Sequence, residues 1–405
     1  MIRNLNLSLF LVFIRLGTSC ALGADSSGGL SPSEQDAGYI ERFHEAFPPL
    51  ENPPSLEEYA TAERFDQLYL GEALDNSLLN VTNDTGGIAW GLAYTMISLN
   101  EMYRGASQEK YLDANLRCIQ AVMEARDDKV GKKLWTGTIA PAWGCDKYAK
   151  RGRAVFAVHT GMIVYPMVDF LDLTRDLSQF DAHRSSILAS ATEALAFHDR
   201  QWRNGPGEGE GHYIALDQED GLDGKVLPGN RLSSMGRAHW VCWKVTGQTA
   251  HRDRALGIAR YIKNRLTPSP DGAYYWSYWL PENPVTAPAT RESVEGEDTS
   301  HGGLTASFPI LLSREEAVFG KEDRRRFAQT VLQGFGRLGD GILMGDVTGN
   351  PASSPNYVWG TARWLELSDA DPEVAERILP FFPKYVATPY PLDLAFLIGR
   401  LKERR

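Results

Sequence analysis

Pairs of helical segments joined by very short turns recur along most of this sequence, and no other feature constrains the fold as strongly. The turns are centred near residues 105, 175, 247 and 320, so the repeating unit is about 70 residues long. A fifth pair turns near residue 369. A single helical hairpin cannot bury its apolar face alone, so repeated hairpins are expected to stack into one continuous core.

The two helices of each pair differ in polarity. The first is apolar and aromatic, as around Trp90 and Phe156, whereas the second carries many charges, as around Lys110 and His251. A helix that is apolar all round is buried, and one with a polar stripe faces solvent. The alternation predicts an all-α fold, an α/α toroid. This is a complete or incomplete double ring of about six to seven helical hairpins.

Helix boundaries follow from the apolar periodicity and from turn residues. The predicted helices cover residues 57–70, 88–104, 107–125, 154–174, 178–202, 231–246, 250–266, 302–316, 321–337, 357–368, 372–382 and 391–403. The last of them is expected to close the ring against the first. The connections that lead from each outer helix to the next inner helix are long, and all of them leave the ring at one end. Long loops in a compact domain are usually functional, so the site is expected at that end.

The N-terminus has the pattern of a secretory signal peptide, with Arg3, an apolar run over 7–14 and small residues up to Ala24. We therefore predict a signal peptide at 1–23, a Ser- and Gly-rich flexible tether at 24–38 and a single catalytic domain at 39–405. Export to the periplasm or the medium follows from this. Lipidation at Cys20 is left open, and no later segment is apolar for long enough to span a membrane.

Composition narrows the possible partners. The formal net charge is −10 and the pI is near 5.4. A nucleic-acid-binding protein is typically basic, so these values argue against that class. After removal of the signal, Cys118, Cys145 and Cys242 remain, and their number and spacing do not favour a disulfide framework or a zinc site. No metal or other cofactor is expected. The oligomeric state is left open.

Five motifs carry a family resemblance: residues 85–94, 111–113, 227–231, 275–279 and 297–302. In these motifs the chain resembles the α/α-toroid polysaccharide lyases, in particular the single-domain alginate and glucuronan lyases. The resemblance implies β-elimination on an acidic polysaccharide. A tyrosine or histidine removes the proton at C5 of a uronate, and hydrogen-bond donors neutralise its carboxylate.

Five residues are the catalytic candidates under this resemblance. Tyr278 is expected to act as acid and perhaps as base, and His301 as base or as a neutraliser of the carboxylate. Asn230 and Arg231 are expected to hold the carboxylate, and Glu297 to orient His301. Because a helix N-terminus disfavours a cation, we expect His301 to be neutral. Asn230 has an equally good alternative as a helix N-cap.

A second group of residues is predicted to contact the sugar through aromatic rings, imidazoles or charges. It consists of His159, Tyr275, Trp276, Asp298, His239, Trp90, Trp143, Tyr357 and Arg153. For the aromatic residues and histidines, burial in the core is the competing interpretation. Two other functions stay open: a glycoside hydrolase that pairs Asp298 or Glu297 with Asp84, and a non-catalytic glycan-binding toroid.

Overall fold

The structure, a computed structural model, describes residues 32–216 and 222–403. The predicted signal peptide lies outside the described residues. The α-helices in chain order are α1 (Pro32–Ala46), α2 (Leu56–Tyr59), α3 (Ala62–Tyr69), α4 (Glu72–Leu78), α5 (Ala93–Ala106), α6 (Lys110–Glu124), α7 (Asp127–Val130), α8 (Ala157–Leu173), α9 (Asp181–Ala196), α10 (Gly229–Thr246), α11 (Thr249–Lys263), α12 (Thr299–Ser313), α13 (Lys321–Gln329), α14 (Glu373–Ile378), α15 (Phe381–Tyr385) and α16 (Pro391–Glu403).

The remaining elements of the fold are short. Two segments are π-helical, Ile88–Leu92 before α5 and Thr330–Phe335 after α13. The 3-10 segments are Ser178–Phe180, Asp199–Gln201, Arg291–Ser293, Pro355–Tyr357 and Thr361–Leu367. The strands are β1 (Trp202–Asn204), β2 (Gly211–Tyr213), β3 (Thr267–Pro268) and β4 (Tyr274–Tyr275). They form two antiparallel hairpins in which Trp202 faces Tyr213 and Thr267 faces Tyr275.

Six segments form a closed inner ring. In order around the ring these are α5, α8, α10, α12, the 3-10 segment Thr361–Leu367 and α16, and α16 packs back on α5. Their apolar character explains this position. In α8, for example, every residue from Ala157 to Leu171 is buried. The predicted all-α toroid is therefore confirmed, and the ring is complete.

Small residues let neighbouring inner helices approach closely. A Cβ added to Gly161 of α8 would lie 2.6 Å from the backbone of Ser234 in α10. A Cβ on Gly105 of α5 would lie 3.2 Å from Gly399 of α16. Real Cβ contacts are longer than this, so larger side chains at these positions would push the inner helices apart.

The outer layer consists of α3, α6, α9, α11, α13 and α14, each packed on an inner segment. The predicted helix 57–70 is divided in the structure into α2 and α3. The prediction that the last helix closes the ring against this region is correct for α3, which contacts α16. It missed the contact of α16 with α5 that closes the inner ring.

Helix α1 corrects the predicted tether. It begins at Pro32, inside the segment 24–38, and its residues are tied to the C-terminal half of the chain. Asp36 forms an ion pair with Arg337, and the Tyr39 hydroxyl donates to the Leu343 carbonyl at 2.9 Å. Residues 32–38 are therefore part of the folded domain.

Two further findings concern the whole described chain. No helix within residues 32–216 and 222–403 is long and apolar enough to cross a membrane. Cys118, Cys145 and Cys242 are all buried and unpaired. The core thus holds the fold together without a disulfide among these three cysteines.

Candidate functional site

Four side chains occupy the same position in four successive inner segments. Trp90, His159, Arg231 and His301 are each the third residue of the helical segment that carries them. The inner segments all begin at the end of the ring where the long connections lie, so these residues surround one opening. Tyr278 reaches it from the connection before α12, and its ring lies edge-on to that of His301, with 5.4 Å between centroids.

Tyr278 is half-buried beside the start of α10. Burial raises the pKa of its phenol, and the donors of Arg231 and Asn230 beside it act against this rise. Helix α10 begins at Gly229 with Pro228 as its N-cap, so Asn230 is not the cap. Its buried Oδ1 has no hydrogen-bond partner in the described chain. An acceptor therefore remains next to the phenol.

His301 is held by the residue that caps its own helix. Asp298 Oδ1 accepts from the His301 backbone N–H at 3.0 Å, and Asp298 Oδ2 lies 2.5 Å from Nδ1 of the His301 ring. Burial acts to lower the pKa of His301, but the hydrogen bond and the negative charge of Asp298 outweigh it and raise the pKa. The direction of this shift is opposite to the one expected at a helix N-terminus, because a carboxylate in direct contact outweighs the helix terminus.

Glu297 lies behind this pair and is completely buried. Its Oε2 accepts from Trp276 Nε1 and from Thr305 Oγ1, both at 2.6 Å. Oε1 has no partner in the described chain. Burial raises the pKa of Glu297 to about 8, so the carboxyl is mostly protonated at neutral pH. Glu297 was predicted to orient His301, but it makes no hydrogen bond to His301 in the described chain. Asp298 makes that contact instead.

His159 forms the opposite side of the opening. Its Nδ1 lies 3.2 Å from Asn83 Nδ2, and the rings of Trp90 and Tyr148 stand edge-on to it at 5.4 Å and 5.6 Å. Burial, with a smaller contribution from the Arg231 charge, lowers the pKa of His159 to about 3. The imidazole is therefore neutral. It also lies near enough to Arg231 for that charge to act on it.

Asn83 and Tyr148 were not predicted as site residues. Besides His159, Asn83 binds the Trp143 carbonyl and the backbone N–H of Ala89. Gly86, with φ of 84°, allows the rings to meet here, since a Cβ would lie 2.8 Å from Trp90 and 3.2 Å from Tyr148. Asn83 stands in an Asn-Asp-Thr triplet typical of glycosylation acceptors, which does not indicate a buried support for a histidine, and no motif distinguishes Tyr148 from an ordinary loop residue.

Several predicted sugar contacts are buried away from the opening. Tyr275 is fully buried, and its hydroxyl donates a hydrogen bond to Asp271. Trp276 is 1% exposed, and its Nε1 donates a hydrogen bond to Glu297. Trp143 is fully buried and donates to the Val122 carbonyl. These positions do not fit the predicted contact with sugar, because the rings fill the space under the loops.

Two predicted polar contacts also lie elsewhere. His239 points outwards from α10, 2.7 Å from the Tyr213 hydroxyl and 2.8 Å from the His251 ring. Arg153 is buried and makes ion pairs with Asp127, Asp84 and Asp146. Both residues have protein partners, so the structure argues against contact with a substrate.

Asp84 belongs to the same ion-pair network. Burial acts to raise its pKa, but hydrogen bonds from Lys132 and Arg153 outweigh it and lower the pKa to about 2. Asp84 therefore does not fit the predicted second catalytic carboxyl. Tyr357 is 40% exposed on its 3-10 segment, and its contact with sugar stays a prediction. Trp279, which was not singled out, is 42% exposed next to Tyr278.

Comparison with known proteins gives structural matches only. No protein-family model matches the sequence, and no curated protein matches it significantly. Among solved structures, the chain is similar to an inactive variant of alpha-1,6-mannanase from Salegentibacter sp. HEL1_6 in complex with alpha-1,6-mannotetrose. Identity is 10%, coverage is 92% of this chain and 99% of that chain, and the TM-score is 0.45.

Two other solved structures are similar in the same way. One is the family 76 glycoside hydrolase Bt3792 from Bacteroides thetaiotaomicron VPI-5482, at 15% identity, 78% and 88% coverage and a TM-score of 0.47. The other is the unsaturated glucuronyl hydrolase from Bacillus sp. GL1, at 14% identity, 80% and 81% coverage and a TM-score of 0.44. These three matches are named as hydrolases, whereas the sequence predicted a polysaccharide lyase, and the lyase prediction is withdrawn.

Proposed function

We propose that this chain is a glycoside hydrolase that binds a glycan at the open end of the ring. The observation that carries the proposal is the meeting of two neighbouring carboxyl groups, Glu297 and Asp298, with His301 and Tyr278. Glycosidases need a proton donor next to a carboxylate. In this chain the His301 imidazole, in contact with Asp298, is the group that can donate the proton.

The proposed reaction adds water across a glycosidic bond. The bond between the anomeric carbon and the leaving oxygen breaks, the oxygen receives a proton from the side-chain donor, and the hydroxyl of water joins the anomeric carbon. The remaining proton of the water restores the donor. We assign proton donation to His301, whose side chain is 40% exposed. Asp298 is a positioning residue, because it fixes the imidazole and stabilises its protonated form. When Glu297 is ionised, its negative charge also stabilises the protonated form of His301.

Sugar binding is assigned to the groups around this proton donor. The Tyr278 phenol and the free acceptor of Asn230 can bond sugar hydroxyls, and the half-buried ring of Trp90 can carry a sugar face. The acidic substrate predicted from the sequence stays part of the proposal. Lys147 and Arg151, both exposed, lie in the loop that brings Tyr148 to the opening.

The test is hydrolysis of a glycan panel that contains neutral mannans and uronate-containing polysaccharides. We expect new reducing ends on at least one of them, without ultraviolet absorption from an unsaturated sugar. His301→Gln should lower kcat at least 100-fold, in the range that acid–base groups contribute. Tyr278→Phe should lower kcat/KM, because it removes a contact with the sugar. Tyr275→Phe is the matched control, because it removes a buried phenol away from the opening, and it should keep kcat.

Two results would overturn the proposal. One is turnover that survives both His301→Gln and Tyr278→Phe. The other is tight binding of a glycan by a correctly folded protein that cleaves nothing in the panel. The second result would favour the non-catalytic glycan-binding toroid instead.

A further inference from the structure

The ring contains a second cavity at the end opposite the candidate site. Its volume is about 300 Å³. It opens among the C-terminal ends of α5, α8, α10 and α12 and reaches inwards to Tyr94, the segment Thr361–Leu367 and the first half of α16. At about 30 Å³ per water molecule, it can hold several waters or one small ion with its hydration. Neither the sequence motifs nor the proposed hydrolase reaction uses this cavity.

Most charges in the cavity wall are matched. Arg104 pairs with Glu101 and Asp169, Lys244 pairs with Glu315, and Arg314 pairs with Glu366. These ion pairs lie at the end of the ring that carries the hairpin turns. Two more cations lie deeper in the cavity, and neither forms an ion pair with a carboxylate of the described chain.

Arg237 is the first of these cations. It is 94% buried, since only 6% of its surface is exposed, and it lines the cavity from the middle of α10. Its guanidinium lies 4.3 Å from the centre of the Tyr165 ring and donates to Met162 Sδ at 3.6 Å. Its Nε has no hydrogen-bond partner, and no carboxylate of the described chain lies within ion-pair distance.

Arg363 is the second. It is 9% exposed, and its Nε donates to the Gly360 carbonyl at 2.9 Å. The nearest buried carboxyl that acts on it, Asp393, accepts from the Ala362 N–H and forms no ion pair with Arg363. Burial lowers the pKa of the Arg237 guanidinium, and the charge of Arg363 lowers it further, while the charge of Glu366 acts in the opposite direction.

We propose that this cavity is a binding site for a small oxyanion, such as a phosphate, a sulfate or a carboxylate, held between Arg237 and Arg363. Two buried guanidinium groups without carboxylates are unfavourable alone, and an oxyanion removes this cost by accepting hydrogen bonds from both. Arg237 lies over the Tyr165 ring and Arg363 over the Tyr94 ring, and a guanidinium stacked in this way can still donate hydrogen bonds from its edge. The proposal does not depend on the hydrolase activity at the other end.

The experiment measures binding of inorganic phosphate and of sulfate to the full chain by calorimetry, at constant ionic strength kept with chloride. We expect saturable binding with one site per chain. Arg237→Met should raise Kd at least tenfold, whereas Arg325→Met, which removes an exposed arginine on α13, should leave Kd unchanged. Thermal unfolding gives a second readout. Phosphate should raise the Tm of the parent and the control but not of Arg237→Met, which should unfold at a higher temperature than the parent in chloride alone.

If Arg237→Met does not fold, Arg363→Met takes its place with the same expected change in Kd. Absence of saturable binding to the parent chain overturns the proposal. An unchanged Kd in the folded variant also does so, because the anion then binds somewhere else. If phosphate and sulfate fail but acetate binds with the same dependence on Arg237, the ligand is a carboxylate and the site stands.

Discussion

Replacing Glu297 by glutamine removes a buried acid whose pKa of about 8 lies well above the value of 4.5 that it has in an unfolded chain. Between these two values the folded protein holds a proton that the unfolded chain releases. The free energy of unfolding therefore falls as pH rises through this range. Each tenfold change in proton affinity is worth about 1.4 kcal/mol, so the loss between pH 5 and pH 8 amounts to about 3 kcal/mol.

The glutamine keeps the size of the side chain and still offers an oxygen to Trp276 and Thr305. It does not titrate, so its contribution to stability is independent of pH. Urea unfolding of the parent and of Glu297→Gln at a series of pH values isolates the difference, because all other titrating groups are shared. We expect the parent to lose about 3 kcal/mol more than Glu297→Gln between pH 5 and pH 8.

The control is Glu41→Gln, which removes an exposed carboxyl on α1 and should leave the pH dependence of the parent unchanged. Parallel curves for the parent and Glu297→Gln would refute the reasoning. They would mean that Glu297 is ionised in the folded protein and that its surroundings are more polar than the buried contacts indicate.

Three further changes test other parts of the site. Asp298→Asn should keep the cap of α12, because asparagine is an equally good N-cap, but should lower the pKa of His301 as followed by NMR titration. An unchanged His301 pKa would contradict this. Arg153→Met leaves Asp127 buried without its cation and should lower the free energy of unfolding by about 3–5 kcal/mol, with KM unchanged; a raised KM would restore Arg153 as a substrate contact. Asn83→Ala should destabilise the fold by about 1–3 kcal/mol in urea and raise KM, because His159 loses its support. Equal stability would show that the Asn83 hydrogen bonds are replaced by water.

The fold could be predicted because one repeated pattern determines it. The alternation of apolar and charged helices decides which helix is buried, and the short turns decide which helices are neighbours. The end of the ring that carries the site follows from the same topology. Helix α1 was missed because it is short of apolar residues at its start and follows a Ser- and Gly-rich stretch.

The grouping of the candidate residues was predictable where position in a helix matters. Arg231 and His301 were singled out at helix starts, and the structure brings both to one opening with Tyr278. Aromatic residues were harder to assign, because a tryptophan that carries a sugar and one that fills a core have the same local sequence. Trp143 and Trp276 are of the second kind.

Neighbouring residues were also confused at the start of α12. Glu297 and Asp298 are adjacent acids, and only the three-dimensional structure shows which one caps the helix. A shift of one residue there exchanges a completely buried acid for a half-buried hydrogen-bond partner of His301. Sequence spacing alone does not fix helix starts to that accuracy.

The central claim, that water is added to a glycan at the open end of the ring, is tested most directly by labelling. The cleavage reaction is run in water enriched in heavy oxygen with any glycan of the panel that is cut, and the fragments are weighed by mass spectrometry. We predict one heavy oxygen at each newly formed reducing end, and no such product with His301→Gln. Fragments that carry a new double bond and no label would contradict the account.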